Sequence, residues 1–319
     1  MEESARHLPV LLVLLVAVFA SALGAANLQA GDGFNVTFVP SSAGLRQAVV
    51  TVGGPGEAPS LPTAVRPAPV PDDSLERAVR DALGDDAASY AVVVRRLRDG
   101  RTFELNPNRE FYAASTFKLA VLYEAERRVS LGELRLDDRV TISGEDASED
   151  LGTLGRLDLA PDGSLSVGEA LRAMVTRSDN ATAVALLHLL GAPAIDATLR
   201  RLGATGISVN TRDLPITAAG MARLMEALVR GEGLIPDARR HARELLLAQE
   251  WRDGIPAGLP PGASVGNKTG TWEGITHDIG FVEAPGGTYV IAVLSDRGWV
   301  WEPIARVSAA AWNDLIREP

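Results

Sequence analysis

The sequence predicts an α/β fold of the α+β kind, an antiparallel sheet built from both ends of a compact domain with an all-helical subdomain inserted between them. Three observations lead there. β-like runs at Tyr90–Arg96 and Thr102–Leu105 flank a turn at Asp99-Gly100, and comparable runs return only at Ser264–Thr271, Ile275–Glu283 and Tyr289–Ser295. Between them, apolar residues recur at 3.6-residue spacing, bounded by Gly or Pro, which marks helices. Strands so far apart in a chain meet only in a sheet closed by distant segments, with the helices as an insert beside it.

Taken in order, residues 1–28 carry the almost wholly apolar run Leu8–Ala26, which is followed by a polar stretch. The small residues Ala20-Ser21-Ala22 and Gly24-Ala25-Ala26 suit a signal-peptidase site, although the leading residues are not clearly basic. About 18 apolar residues can also span a bilayer, so a cleaved signal peptide and an N-terminal membrane anchor both fit. Either implies an exported protein of the extracellular space or cell envelope, membrane-attached in the second case. No cysteine follows the run, which excludes a lipid-modified N-terminus.

Residues 29–73 read as a Pro/Gly-rich linker, with Pro55, Pro59, Pro62, Pro67, Pro69 and Pro71 closely spaced. Proline fixes φ and lacks an amide donor, which favours a semi-extended tether. The alternation of Phe34, Val36 and Phe38 leaves room for a short strand there. The compact domain is expected over 74–319. It opens with a helix from Ser74-Leu75-Glu76 towards Leu83-Gly84. Helices are then expected at Thr116–Arg128, Ser166–Thr176, Asn180–Leu190, Ala194–Leu202, Ala218–Arg230 and Ala238–Glu250. A turn at Pro285-Gly286-Gly287 joins the last two strands, and a closing helix spans about Pro303–Arg317.

A net charge of −10 with scattered arginines argues against nucleic acid as a partner, because phosphate binding needs a basic stripe. With no cysteine there is no disulfide framework and no thiolate chemistry. The four histidines, His7, His188, His241 and His277, are too dispersed for a zinc site. No metal or organic cofactor is implied.

Of 31 basic residues only two, Lys118 and Lys268, are lysine. Arginine supplies charge equally well but cannot give up its proton, whereas a buried lysine can. Both lysines fall in motifs, Ser115-Thr116-Phe117-Lys118 and Lys268-Thr269-Gly270, and Ser178-Asp179-Asn180 stands between them at the junction of two expected helices. Ser-x-x-Lys by itself arises about once by chance in a chain this long. The three motifs in this order are specific.

Physical reasoning points the same way. Ser115 sits where a loop meets a helix, facing the positive end of the macrodipole. Residues three apart share a helix face, which brings the Lys118 amine to the Ser115 hydroxyl. A neutral amine there can take the serine proton. Lowering a lysine from about 10.4 to near 7 costs about 4–5 kcal/mol and needs burial or a nearby cation, for which Lys268 is available.

Over Ser74–Pro319 the chain resembles class A β-lactamases and the penicillin-binding serine hydrolases. That resemblance implies a β-lactamase/transpeptidase-like fold and an acyl-enzyme on Ser115, with Lys118 and Ser178 as the other catalytic residues. It implies that Ser178 relays a proton to the leaving nitrogen and that the amides of Ser115 and Thr271 form the oxyanion hole. Asn180 would hold the substrate's amide side chain, Lys268 and Thr269 its carboxylate, and Gly270 and Thr271 belong to a strand that pairs with substrate backbone. Structural readings stand beside these. Asn180 can cap the helix that follows it, and Thr269 can be an ordinary strand residue. Gly270 permits close approach of a ligand. His277 and Asp278 are neighbours on a strand and face opposite ways, so a structural or rim role is expected for His277. Arg212-Asp213 reads as a loop salt bridge.

One part of the family pattern is missing. Class A β-lactamases carry a Glu-x-x-Leu-Asn loop between the second and third motifs, whose glutamate activates the deacylating water, and here Ala204–Leu214 is a contracted loop without it. Glu226, Glu232, Glu244 and Glu250 all fall on or at the ends of expected helices. General-base assistance is worth about 100- to 10,000-fold, so deacylation of a tethered β-lactam product should be slow. The resemblance leaves three functions open: a β-lactamase-like serine hydrolase with weak turnover, a D-alanyl-D-alanine carboxypeptidase acting on peptidoglycan peptides, and a non-catalytic envelope protein that binds in the same pocket. The partner in each case is a small-molecule β-lactam or a D-Ala-D-Ala-type peptide.

Overall fold

The computed structural model describes residues 27–30, 34–40, 46–52 and 66–315 of the 319. They belong to two units, Met1–Ser60 and Leu61–Pro319. The expected signal or anchor over Leu8–Ala26 lies outside the described residues.

In the first unit β1 (Asn27–Ala30), β2 (Phe34–Pro40) and β3 (Arg46–Val52) form an antiparallel meander in which Val36 pairs with Leu28 on one side and Val50 on the other. The expected tether therefore contains a small sheet. Its cause is legible in the alternation of Phe34, Val36 and Phe38 and in the β-branched run Val49-Val50-Thr51-Val52.

In the second unit the tether also ends earlier than residue 73. β4 (Val70–Pro71) joins the sheet edge parallel to β6, with Val70 N–H on Gly100 O at 2.9 Å and Asp72 N–H on Thr102 O at 3.1 Å. Pro69 and Pro71 alternate with these donors, so the residues without an N–H fall where none is needed. The Pro67 carbonyl accepts from Arg95 Nη2 at 2.6 Å.

The first helix, α1 (Asp73–Leu83), is capped by Asp72, whose carboxylate accepts from the amides of Ser74 and Leu75. It leads to β5 (Tyr90–Arg96) and β6 (Arg101–Leu105). A two-residue strand β7 (Phe111–Tyr112) and a 3₁₀ turn (Ala114–Phe117) precede α2 (Lys118–Leu131). Next come β8 (Arg139–Thr141), a short α3 (Gly144–Ser148) and β9 (Ser164–Ser166), which pairs with β8. The helical insert continues with α4 (Val167–Thr176), α5 (Asn180–Leu190) and α6 (Ala192–Leu202). β10 (Pro215–Ile216) then pairs with β7, and α7 (Ala218–Arg230) and α8 (Pro236–Leu247) follow. Strands β11 (Ser264–Trp272), β12 (Ile275–Ala284) and β13 (Gly287–Ser295) and the helix α9 (Glu302–Leu315) close the unit.

The six-stranded sheet runs β11-β12-β13-β5-β6-β4, antiparallel except at β4. Sheet from both chain ends and a helical insert are thus as the strand spacing predicts. Both faces are buried, and side-chain alternation divides them. Ala91, Val93, Val290, Ala292 and Leu294 pack with the helical insert, where Leu119, Leu122, Leu171, Leu186 and Met221 lie. Val92, Val94, Tyr289, Ile291 and Val293 pack with Leu75 and Val79 of α1 and Ile304 and Val307 of α9. Such burial, at about 1.5–3 kcal/mol per large apolar side chain, holds β11 and α2 in fixed relation.

Candidate active site

The three motifs converge at the end of the sheet where edge strand β11 meets the start of α2. Ser115 lies just before α2, at the junction of loop and helix as expected; the helix expected from Thr116 begins as a 3₁₀ turn and becomes α-helical at Lys118, and the backbone stays right-handed through Phe117 and Lys118, so the one-turn spacing survives. Ala114, immediately before it, has φ of 42°. On the opposite wall Ser178 has φ of 60°, between the end of α4 and the cap of α5. Non-glycine residues pay for that conformation, and both neighbour the reacting groups.

Gly270 is what lets β11 reach the turn. A Cβ there would stand 2.7 Å from Thr116 Cγ2 and 3.0 Å from Ala113 O. Its missing side chain accommodates the protein's own backbone, which corrects the expectation that it makes room for a ligand.

Lys118 is fully buried, and its Nζ has four oxygen neighbours: Ser178 O at 2.6 Å, Asn180 Oδ1 at 2.6 Å, Ser115 Oγ at 3.1 Å and Ser178 Oγ at 3.2 Å. A neutral amine has two N–H groups and one lone pair. The two close carbonyl oxygens, which can only accept, take the two N–H groups, and the lone pair is left to the hydroxyl protons. Lys268, also fully buried, donates to Ser178 Oγ at 3.0 Å and to Thr269 O at 2.8 Å. Ser178 thus stands between the two amines.

Burial is the larger cause that holds the Lys118 amine well below the usual lysine range; the Lys268 charge is the second, and Asp179 opposes both. The sequence argument weighted the neighbouring cation, and the enclosure outweighs it. Burial pushes Lys268 down to about 7, against the pull of Asp278. Asp278 is itself raised to about 6 by burial, while its carboxylate accepts from Asn267 Nδ2 at 2.9 Å and Ile255 N at 2.8 Å.

Asn180 does not cap α5. Asp179 does, through Thr182 N at 2.7 Å, and this frees the Asn180 side chain for Lys118. Asp179 Oδ2 also accepts from Thr153 Oγ1. Thr269 is buried under the cleft and Thr271 half-buried on its wall. His277 is fully buried and structural: Nε2 lies 3.0 Å from Tyr112 O and Nδ1 accepts from Ser295 N at 3.1 Å. Burial lowers it to about 4, so it stays neutral. It faces away from Asp278, and the rim alternative falls. Arg212 and Asp213 are exposed, and no ion pair joins them among the described residues.

A cleft of about 250 Å³ opens over these groups, lined by Ser115, Ser178, Asn180, Thr269 and Thr271 and by Thr153, Arg177, Leu151 and four tryptophans. Among the described residues, no aspartate or glutamate lines it. Glu226 is buried against Arg66, Arg95 and Arg230, Glu232 pairs with Arg223, and Glu244 lies beside Arg240. No group of three or more His, Asp and Glu side chains among the described residues is arranged to hold a metal.

Motif reasoning missed Asp179, Thr153, Arg177 and the tryptophans. Asp179 sits inside the second motif and is the N-cap type that the start of α5 calls for, so capping rules could have found it. Four of the chain's five tryptophans flank turn sequences, a weaker signal.

Comparison with known proteins follows the geometry. The model of the beta-lactamase enzyme family matches residues 74–315. The chain is 30% identical over 249 residues to Beta-lactamase FAR-1 of Nocardia farcinica, which covers 73% of this chain and 74% of that protein. Among solved structures, an ancestral (GNCA) class A beta-lactamase superposes with a TM-score of 0.68 at 28% identity, covering 75% of this chain and 99% of its own. A PBP-A mutant, solved as an acyl-enzyme complex with penicillin-G, gives 0.71 at 24% identity, covering 78% and 98%, and shares the fold.

Proposed function

This chain belongs to the beta-lactamase enzyme family and is a serine hydrolase of that kind, and on that premise we propose that it forms an acyl-enzyme on Ser115 with β-lactams and releases the product slowly. The observation that carries the proposal is the buried Lys118 amine, whose two N–H groups have carbonyl partners while its lone pair faces the serine hydroxyl.

The 3.1 Å contact between Lys118 Nζ and Ser115 Oγ supports the first step. Lys118 takes the Ser115 proton as Oγ bonds to the substrate carbonyl carbon. The oxyanion forms opposite the amides of Ser115 and Thr271, each such donor being worth about 3–4 kcal/mol. As the C–N bond breaks, the Ser178 hydroxyl gives its proton to the departing nitrogen and regains one from Lys118, which lies 3.2 Å away. The net transfer is one proton from Ser115 to the leaving group. Lys268 stabilises the Ser178 oxygen while it is proton-poor, and with Thr269 it holds a substrate carboxylate. Asn180 keeps Lys118 in place and presents its amide to the substrate's acylamino group.

Deacylation needs a base for water, and among the described residues the cleft lining supplies no carboxylate. A chromogenic cephalosporin should therefore label Ser115 in a stoichiometric burst, followed by slow turnover, read by absorbance and by the mass of the adduct. Fast steady turnover would overturn the slow-release reading. Absence of any adduct would favour a binding protein. The same lack of a carboxylate favours a second reading, D-alanyl-D-alanine carboxypeptidase activity, in which the departing amino acid vacates room for water; release of D-alanine from a D-Ala-D-Ala peptide tests it. We place the enzyme outside the cytoplasmic membrane, on the strength of the Leu8–Ala26 run, and cell fractionation checks that.

A further inference from the structure

The fold gathers arginines that the sequence scatters. A cavity of about 480 Å³ is lined by Arg230, Arg239, Arg240 and Arg243, with Glu283 as its one carboxylate among the described residues. In a chain of net charge −10 that is a local reversal of sign. Glu283 stands opposite Ser264 at one end of β11, whereas Thr271 of the reactive cleft lies seven residues further along that strand. At about 3.3 Å per residue the two places are about 23 Å apart, so this cavity is no part of the cleft.

Local rules do not account for these charges. Pro236, Arg239, Arg240 and Arg243 are spaced i, i+3, i+4 and i+7 and form one stripe of α8. Like charges at i, i+3 and i, i+4 repel, and Arg239 follows the first turn so closely that the macrodipole disfavours a cation there. Nor does Arg239 cap α7: the carbonyls of Ala227, Leu228 and Gly231 accept from the amides of Glu232, Gly231 and Leu234 at 3.0, 3.2 and 3.1 Å. No hydrogen bond or ion pair holds the Arg239 guanidinium among the described residues, and it acts on Glu283 through charge alone. Arg240 has the exposed Asp237 at 2.9 Å and Glu244 at 4.0 Å, pairs worth little in water.

The stripe is nonetheless fixed in place. Gly231 leaves room for the Arg239 stem: a Cβ there would stand 2.7 Å from Arg239 Cδ. Arg243 lies over the Phe281 ring at 5.8 Å, and its Nη2 donates to both Glu283 oxygens at 2.5 Å. Arg230, from the end of α7, is anchored by Glu226 at 2.9 Å, a carboxylate that Arg66 and Arg95 also neutralise. Cations placed against the preference of their own helix and then held by their stems are preorganised for an anion.

The number of donors selects that anion. A carboxylate has one charge and two oxygens, enough for one guanidinium fork. A phosphate group has up to two charges and three acceptor oxygens, and a pyrophosphoryl group has more of both. The volume falls in the range of small-ligand sites, about 300–1,000 Å³. We propose that this cavity binds a phosphorylated small molecule, whose phosphate or pyrophosphoryl group is held by Arg239, Arg240 and Arg243. The site does not depend on the chemistry at Ser115.

The probe is inorganic pyrophosphate, titrated into the full-length protein by isothermal calorimetry, with citrate as the polycarboxylate comparator. Wild-type protein should bind one pyrophosphate at least ten-fold more tightly than citrate, with an affinity that falls as salt is raised. In Arg239→Ala/Arg240→Ala the affinity should drop about ten-fold or more, the worth of one charge-assisted hydrogen bond. Arg177 of the reactive cleft offers pyrophosphate another cation, so undiminished binding in the double variant puts the anion elsewhere and overturns the proposal. Absence of binding, or equal affinity for citrate, overturns it too. Thermal melts separate a site from a structural role. Without anion the double variant should melt no lower than wild type, because it relieves the repulsion along α8, and pyrophosphate should raise the melting temperature of wild type alone. A lower melt for the anion-free variant would mean that these arginines serve the fold, against the proposal.

Discussion

At the scale of residues, the lysine–arginine distinction decides the chemistry. Lys118→Arg keeps the charge and much of the length, yet arginine stays protonated, so acylation should fall about 100- to 10,000-fold, the worth of general-base assistance. Adduct formation followed by mass spectrometry measures it, and circular dichroism checks the fold. The pH profile is set by both lysines. Acylation needs Lys118 neutral, so it is lost as acid protonates that amine, well below the ordinary lysine range. Carboxylate binding needs Lys268 charged, so kcat/KM should decline above about 7, where the free protein's Lys268 loses its proton. Asp179 raises Lys118 by its charge. Asp179→Asn keeps a cap acceptor for Thr182 and can donate to Thr153 Oγ1, but removes that charge. The acid limb should move to lower pH with little change in melting temperature; an unmoved limb would mean that Asp179 acts only as a cap.

Where elements meet, the site depends on one missing methyl. In Gly270→Ala the new Cβ would press on Thr116 Cγ2 and the Ala113 carbonyl, driving β11 from the 3₁₀ turn. Overpacking of this kind costs about 1–3 kcal/mol, and because it separates Ser115 from Lys268 the acylation rate should fall with it. Thr116→Ser removes the closest contact while keeping the hydroxyl that donates to Ala113 O at 2.7 Å. The double variant should recover part of both losses, measured by thermal melts and adduct kinetics. This contact was not legible in the sequence, where Gly270 reads equally well as room for a ligand; only the partner segment, 154 positions away at Thr116, decides between them. The long helices and the strands at 90–105 and 264–295 were legible because period and punctuation agree there. The pairings β7–β10 and β8–β9 were not, since two or three residues carry no period. Nor was the 3₁₀ turn at Ala114–Phe117, where an α-helix was expected from Thr116, because a 3₁₀ turn leading into an α-helix leaves the same i, i+3 spacing.

For the whole molecule, what matters is where the catalytic unit begins. Composition alone placed the boundary at residue 74, because prolines read as tether; their alternation with the Val70 and Asp72 donors shows why the boundary belongs earlier. Arg66 Nη2 donates to the buried Glu226 at 2.7 Å, and its guanidinium is first among the groups that offset the burial cost and hold that carboxyl below its usual range. Arg230 and Arg95 also lie beside Glu226, so loss of Arg66 leaves the carboxylate partly compensated. A chain starting at Leu61 keeps the second unit entire and serves as the reference. A chain starting at Asp73 loses β4, the Asp72 cap and the Arg66 bond together. Cap loss alone costs about 1 kcal/mol, and a half-exposed partner of a buried charge adds about 1 more. For a unit of this size each kcal/mol lowers the melting temperature by about 2–4 °C, so the shorter chain should melt about 4–8 °C below the longer one. Introducing only Arg66→Ala in the longer chain apportions the loss between the ion pair and the strand. Equal melting of the two truncated chains would mean that residues 61–72 add nothing to the fold, and the expected boundary at 74 would stand.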